Sequence, residues 1–264
     1  MTKISIIGTN GIPAKYGGFE TLAYYLAKTF QDKYSVTVYC SSENKPITKF
    51  YKNIRLKYIP LKANGSQSIF YDFFSIIHAY FNSQNLIILG FSGFLAFPLN
   101  IFFRKNIIFN VGGIEWKKVR GSKKFSKLEV FCKKIMENVC VKFSNHVVID
   151  NKSFDSYFRN YYSIVPNLIE YGGDHVYNSN TIYNLADSYE FLNYEYDLIV
   201  SRAQEDMNIH LVIDAYKKQN KRKLVVISNW NSSNYGKELY SLNYKKYDSI
   251  FLVDAIYNIK DLNT

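Results

Sequence analysis

Cysteine is scarce in this 264-residue chain: Cys40, Cys132 and Cys140 make an odd count with neither disulfide nor metal-ligand spacing, a usage that belongs to a reducing compartment. Cys132 and Cys140 are expected simply to pack. The four histidines, His78, His146, His175 and His210, are too scattered for a metal site, and no Asp-x-Asp motif occurs. The N-terminus opens on a strand pattern without a charged segment and apolar core, so no secretory signal is expected and a cytoplasmic location follows. One uncharged run, Leu86 to Phe103, approaches the length of a membrane span, but Gly90, Ser92, Gly93, Pro98 and Asn100 interrupt it. Such residues need internal compensation in lipid, so the run reads as a strand over Leu86 to Leu89, a turn and a short apolar helix.

What is present is an ordinary globular balance, 47% hydrophobic and 21% charged, enough for one large or two modest domains. The net charge of +11, from 33 Lys+Arg against 22 Asp+Glu, draws the chain toward anionic partners. Nucleic acid is not expected, because no nucleic-acid-binding motif accompanies the charge. The densest basic cluster, Lys117 to Lys124, suits an anionic membrane surface. It suits a solvated loop and helix face equally well.

The most informative stretch runs from Ile6 to Glu20, where Gly8, Gly11, Gly17 and Gly18 lie between a β-branched strand, Lys3 to Ile7, and a helix marked by Phe19, Leu22, Ala23, Leu26 and Phe30. Glycines let a ligand approach the backbone, and the helix start offers unpaired N–H groups to an anion. The spacing is not Gly-x-Gly-x-x-Gly, which leaves an NAD-dependent oxidoreductase resting on one generic loop.

Beyond it, strands at Val36 to Cys40, Ile54 to Ile59, Ile107 to Val111, His146 to Ile149 and Ser163 to Val165 alternate with helical patterns at Ser68 to Phe81 and Phe125 to Phe143. The alternation predicts a parallel sheet covered on both faces. The long helix is expected to bury one apolar stripe, Leu128, Phe131, Cys132, Ile135, Met136, Val139, Cys140 and Phe143, as core. Asp150 and Asn151 stand at a strand end, where they cap the next helix or meet substrate. Residues 167–195 read as a linker, and a second α/β series follows: strands Asp197 to Ser201, Lys223 to Ser228 and Ser249 to Val253, with helices Asn208 to Gln219 and Ser233 to Lys245. The fold class expected is α/β, with a complete doubly wound Rossmann-like domain over 1–166 and an incomplete one over 196–264.

Residues 8 to 21, Gly-Thr-Asn-Gly-Ile-Pro-Ala-Lys-Tyr-Gly-Gly-Phe-Glu-Thr, closely resemble the N-terminal signature of bacterial GT-B glycosyltransferases with a DUF1972-type domain, similar to rhamnosyltransferases of capsule and exopolysaccharide synthesis. Asn110-Val-Gly-Gly-Ile-Glu-Trp116 is similar to that family's Asn-x-Asp-Gly-x-Glu-Trp motif, with Gly112 in place of the aspartate. Ser201-Arg202 resembles the Gly-Arg that grips a donor diphosphate, while Met207 stands where a lysine is expected and Asn208 remains beside it. The resemblance implies transfer of a sugar from a nucleotide-diphosphate donor, dTDP-rhamnose suspected, to a lipid-linked saccharide, at the inner membrane face and with neither metal nor cofactor. It implies Glu115 as the catalytic residue, and Gly11, Tyr16, Gly17, Gly18, Glu20, Asn110, Trp116 and Arg202 as substrate-binding. Read from the residues alone, Glu115 is equally a surface salt-bridge partner beside a half-buried Trp. The donor-sugar motif of the family's later part is missing from the sequence, so the alternative is an inactive acceptor-binding or membrane-associated remnant.

Overall fold

The computed structural model describes residues 1–14, 17–42, 48–114, 125–173, 189–218, 222–242, 247–256 and 262. The chain divides into two compact units, Met1–Lys117 with Ser126–Tyr171, and Lys118–Phe125 with Gly172–Thr264.

The first unit runs β1 (Lys3–Ile7), α1 (Gly18–Phe30), β2 (Ser35–Ser41), β3 (Phe50–Tyr51), β4 (Ile54–Ile59), α2 (Ser68–Asn82), β5 (Asn85–Leu89), α3 (Asn100–Phe103), β6 (Asn106–Asn110), α4 (Lys127–Lys142), β7 (His146–Ile149), α5 (Asp155–Tyr162) and β8 (Asn167–Leu168). Its eight strands lie in the order β3-β4-β2-β1-β5-β6-β7-β8. All pairs are parallel except β3 with β4. The chain leaves β1 on one side toward β2 and returns on the other at β5, so the strand order reverses at the β1/β5 boundary, where open α/β sheets place their ligands.

Alternation along the strands sorts the core into two layers. Ile4, Ile6, Val38, Ile87 and Leu89 pack toward α1 through Ala23 and Ala27. Ile7, Leu86, Ile88, Ile107 and Phe109 pack toward the opposite helices through Ile76, Tyr80, Cys140 and Phe158. Strands buried on both faces are the mark of a parallel sheet and explain the continuous apolar runs read in the sequence. No helix among the described residues is long and apolar enough to cross a membrane; the run from Leu86 resolves into β5, a turn, a 3-10 segment at Phe94–Leu99 and α3.

Three expectations are corrected, and one strand is added. The strand expected over Ser163 to Val165 is displaced to Asn167–Leu168, because Ser163 takes a left-handed conformation that closes α5. The two-residue β3 was not foreseen; it folds back on β4 through a tight turn at Lys52, whose φ is +54°. The stripe on α4 is core only in its second half: Met136, Val139 and Cys140 pack inward, whereas Leu128, Phe131 and Ile135 are exposed. Cys132 is exposed as well. The helix nevertheless has a firm start, since Ser126 and Glu129 form a reciprocal capping box. Its middle is fixed by Glu137, fully buried, whose Oε1 accepts hydrogen bonds from Tyr157 (2.5 Å) and Tyr162 (2.7 Å) of α5.

The second unit contains β9 (Tyr196–Val200), α6 (Ile209–Tyr216), β10 (Lys223–Ser228), α7 (Asn234–Ser241) and β11 (Ile250–Asp254), with three parallel strands in the order β11-β10-β9. Its core gathers Ile209 and Ile213 of α6, Leu239 of α7 and the strand residues Leu224 and Val226 around the buried Trp230. The Trp230 indole N–H donates to the Val253 carbonyl at 2.8 Å, which satisfies the one polar group this ring brings inside.

A candidate saccharide cleft at the strand ends

The loop leaving β1 is held from four directions. Thr9 Oγ1 accepts from the Gly11 amide (2.7 Å), Tyr71 of α2 donates to the Thr9 carbonyl (2.9 Å), and the Ser41 amide at the end of β2 donates to the Asn10 carbonyl (3.1 Å). The fourth tie is Glu20, whose buried carboxylate accepts from the Asn10 amide at 3.0 Å. Gly8 has φ +92°, and a Cβ there would lie 2.0 Å from the Leu89 carbonyl oxygen, so the strand end must be glycine for β1 and β5 to meet. Gly11 is buried against Cys40, and its lack of a side chain serves that packing.

Gly17 is the N-cap of α1, and Gly18 and Glu20 lie in its first turn. The negative charge that a helix start favours is therefore supplied by the protein's own Glu20. This alters the anion-cradle reading, because a phosphate brought to this helix start would meet a carboxylate.

At the end of β6, Asn110 Oδ1 accepts from the Gly112 amide at 3.0 Å, forming an Asx turn, and the Asn110 carbonyl accepts from Gly90 after β5 at 2.9 Å. The Asn110 side-chain N–H groups have no hydrogen-bond partner among the described residues. Gly112 has φ +65°, and a Cβ on it would lie 2.3 Å from Cζ of Phe19. The Phe19 ring thus fills the space beside Gly112 and also borders Gly90.

Two more groups join this edge: Tyr171, whose sequence context assigns it no role, and Asp150, read from the sequence as a helix cap or a substrate contact. The Tyr171 hydroxyl lies 3.9 Å from where a Cβ on Gly18 would stand. Its pKa is pushed up to about 12, mainly by burial and further by the negative charges of Asp150 and Glu20; it is therefore a phenol donor at neutral pH. Asp150, at the end of β7, forms no hydrogen bond among the described residues; Asn151 is the cap, accepting from the Ser153 amide at 2.8 Å. Tyr171 falls in the stretch 167–195 read from the sequence as a linker, and only the fold brings it back to α1. Tyr16, Glu115 and Trp116, and the basic cluster Lys117 to Lys124, lie outside the described residues.

Under the neighbouring turn, Asp72 of α2 is buried with its Oδ1 unpartnered; its own Cβ lies 3.2 Å from where a Cβ on Gly93 would sit. Burial pushes its pKa up to about 8.

In the second unit, Arg202 follows β9, half-buried and without an ion pair among the described residues. Its turn is tied down by Asn229 Oδ1, which accepts from the Ala203 amide at 3.3 Å, and by the Ser233 hydroxyl, which donates to the Ala203 carbonyl. Glu205, Asp206 and the exposed Met207 come next.

Two α/β units, a complete doubly wound sheet and a smaller second one, give this chain a GT-B-type fold. The chain belongs to the family described as "Domain of unknown function (DUF1972)", whose model matches residues 1–174. No curated protein sequence matches it. Among solved structures it is similar to sucrose-phosphate synthase from Thermosynechococcus elongatus, with TM-score 0.77 and 14% identity, covering 100% of this chain and 72% of that one. It is similar also to the catalytic domain of starch synthase IV from Arabidopsis thaliana bound to ADP and acarbose, with TM-score 0.66, 11% identity, and 99% and 76% of the two chains covered. A third is HepE of Anabaena in complex with UDP and glucose, at TM-score 0.65 and 13% identity, covering 99% and 71%. At these identities the likeness is one of fold.

Proposed function

We propose that this chain serves nucleotide-sugar chemistry as an acceptor-binding protein: its first unit holds a saccharide at the strand ends, and the 264-residue chain alone does not transfer sugar. The observation that carries this reading is the lining of the cleft edge. Asn110, Tyr171, Asp150 and Glu20 offer neutral donors and carboxylate acceptors, a set that matches sugar hydroxyls and repels phosphate. In the second unit, Arg202 is followed by Glu205, Asp206 and Met207, a weak setting for a diphosphate, which calls for clustered cations. The acceptor fitting the family resemblance is a lipid-linked saccharide at the cytoplasmic face of the membrane.

A second reading is supported by the Arg202 guanidinium, which has no ion pair among the described residues, and by similar folds whose structures hold UDP or ADP. In it the chain is a glycosyltransferase, with Glu115 as the catalytic residue, Tyr16 and Trp116 as substrate-binding residues, and Arg202 stabilising the leaving diphosphate. The donor is dTDP-rhamnose and the product a capsule or exopolysaccharide intermediate. One pair of measurements on the purified chain separates the two. Calorimetric titration with the acceptor saccharide should show binding that weakens in Asp150→Asn. Incubation with dTDP-rhamnose and lipid-linked acceptor should give no transfer; turnover abolished by Arg202→Ala would establish the second reading instead. Absence of both binding and transfer would sink both.

A further inference from the structure

Helix α2 contains no Lys, Arg or Glu, and its one acid, Asp72, is buried. A helix apolar on every side is normally covered on every side, yet Phe70, Phe74 and Phe81 face outward, Phe81 with 72% of its surface exposed. The exposure continues onto the next elements. Phe103 of α3 stacks on Tyr80 (4.7 Å between ring centroids) and meets Phe81 edge-on (5.0 Å), which sets α3 against the end of α2. Beside Phe103, Phe102 is 81% exposed. The 3-10 segment before α3 shares one core with Tyr80 of α2 and Cys140 of α4 through Ala96 and Phe97. On α4, whose Cys140 shares that core, Leu128 and Phe131 are exposed as well.

Charge decides what covers this layer. The acids of α2, α3 and α4 are Asp72 and Glu137, both buried, and Glu129, which caps its own helix by accepting from the Ser126 amide at 2.8 Å. The outward charges are basic: Arg104 and Lys105 directly after α3, and Lys127 beside Leu128, none of them ion-paired among the described residues. Two copies meeting through this face would bring like charges together, whereas an anionic bilayer accepts both the rings and the cations. We propose that the outer face of α2, α3 and α4 docks on an anionic lipid surface. Tyr71 ties α2 to the Thr9 loop, so docking would hold the saccharide cleft close to the lipid. The inference deepens the lipid-linked reading above and is tested with neither acceptor nor donor present, so that the two stand or fall separately.

The test is flotation of the full chain with phosphatidylcholine vesicles, with and without phosphatidylglycerol. Binding is expected with phosphatidylglycerol only and should weaken with added salt. Phe70→Glu/Phe102→Glu should lower the bound fraction at least about tenfold without moving the melting temperature, because both residues are exposed. Arg104→Glu/Lys105→Glu should do the same. Vesicle binding unchanged by both variants, or no binding by the parent chain, overturns the proposal. So does a parent dimer in sedimentation velocity that the phenylalanine variant converts to monomer without any vesicle binding.

Discussion

The ring of Phe19 occupies the volume into which a side chain on Gly112 would project, 2.3 Å from the ideal Cβ position. The contact joins the first turn of α1 to the turn after β6, two segments at the same edge of the sheet. Gly112→Ala is expected to destabilise the first unit by about 3 kcal/mol, combining the left-handed backbone cost with overpacking. Adding Phe19→Ala should recover the overpacking part and leave the backbone part. A double-mutant cycle from urea unfolding measures this; strict additivity of the two substitutions would show that the ring does not hold the site closed.

The same pair shows what could be read beforehand. Gly112 stood out in the sequence because the related motif carries aspartate there, but nothing in a linear string indicates that a phenylalanine more than ninety residues earlier fills the gap. The alternation of strands and helices was legible because burial on both faces of a parallel sheet leaves continuous apolar runs such as Leu86 to Leu89. Failures came where one period admits two environments. The α4 stripe has helical spacing throughout, and periodicity does not distinguish a core from an uncovered face, so the exposure of Leu128 and Phe131 had no signal of its own. Tyr171 and Asp150 were visible as residues but not as neighbours of Glu20.

Glu20 should act as the clamp of the β1–α1 loop, since its buried carboxylate accepts from the Asn10 amide. Glu20→Ala removes a charged acceptor and leaves that amide unpaired, an expected loss of roughly 2 kcal/mol. Glu20→Gln keeps an acceptor and should lose less. The local readout is hydrogen exchange at the Asn10 amide, which should speed up in Glu20→Ala; unchanged protection there would rule out the clamp.

Asp72 makes stability depend on pH in the direction opposite to most carboxylates. Burial raises its pKa in the folded state from 3.8 to about 8, so between these values the folded protein holds a proton that the unfolded chain has released. The linkage slope is then negative: this contribution is full below about pH 4, is lost as pH rises toward 8, and is level above it. Asp72→Asn removes the effect and should be more stable than the parent at pH 8, by on the order of a few kcal/mol, with the gap closing toward pH 5. Cys140, whose pKa burial raises and the neighbouring Asp72 and Glu137 raise further, stays a thiol in this window. Thermal melts of both proteins across pH 5 to 8 check the sign; parallel curves would mean that Asp72 is ionised in the fold.

The cleft itself is tested by its two added members. Tyr171 is a phenol donor at neutral pH, and Asp150 is an acceptor with no hydrogen bond among the described residues. A saccharide hydroxyl placed between them would accept from the first and donate to the second. Tyr171→Phe and Asp150→Asn should each weaken acceptor binding by roughly five- to twentyfold, corresponding to about 1–2 kcal/mol per hydrogen bond to a neutral or charged partner. Neither should lower the melting temperature appreciably, because Tyr171 is about half exposed and Asp150 caps nothing. If the pair acts on one hydroxyl, the double variant should lose less than the sum of the single losses. Full additivity in the calorimetric titration would mean that the two residues meet different parts of the ligand, and unchanged affinity in both would place the saccharide elsewhere.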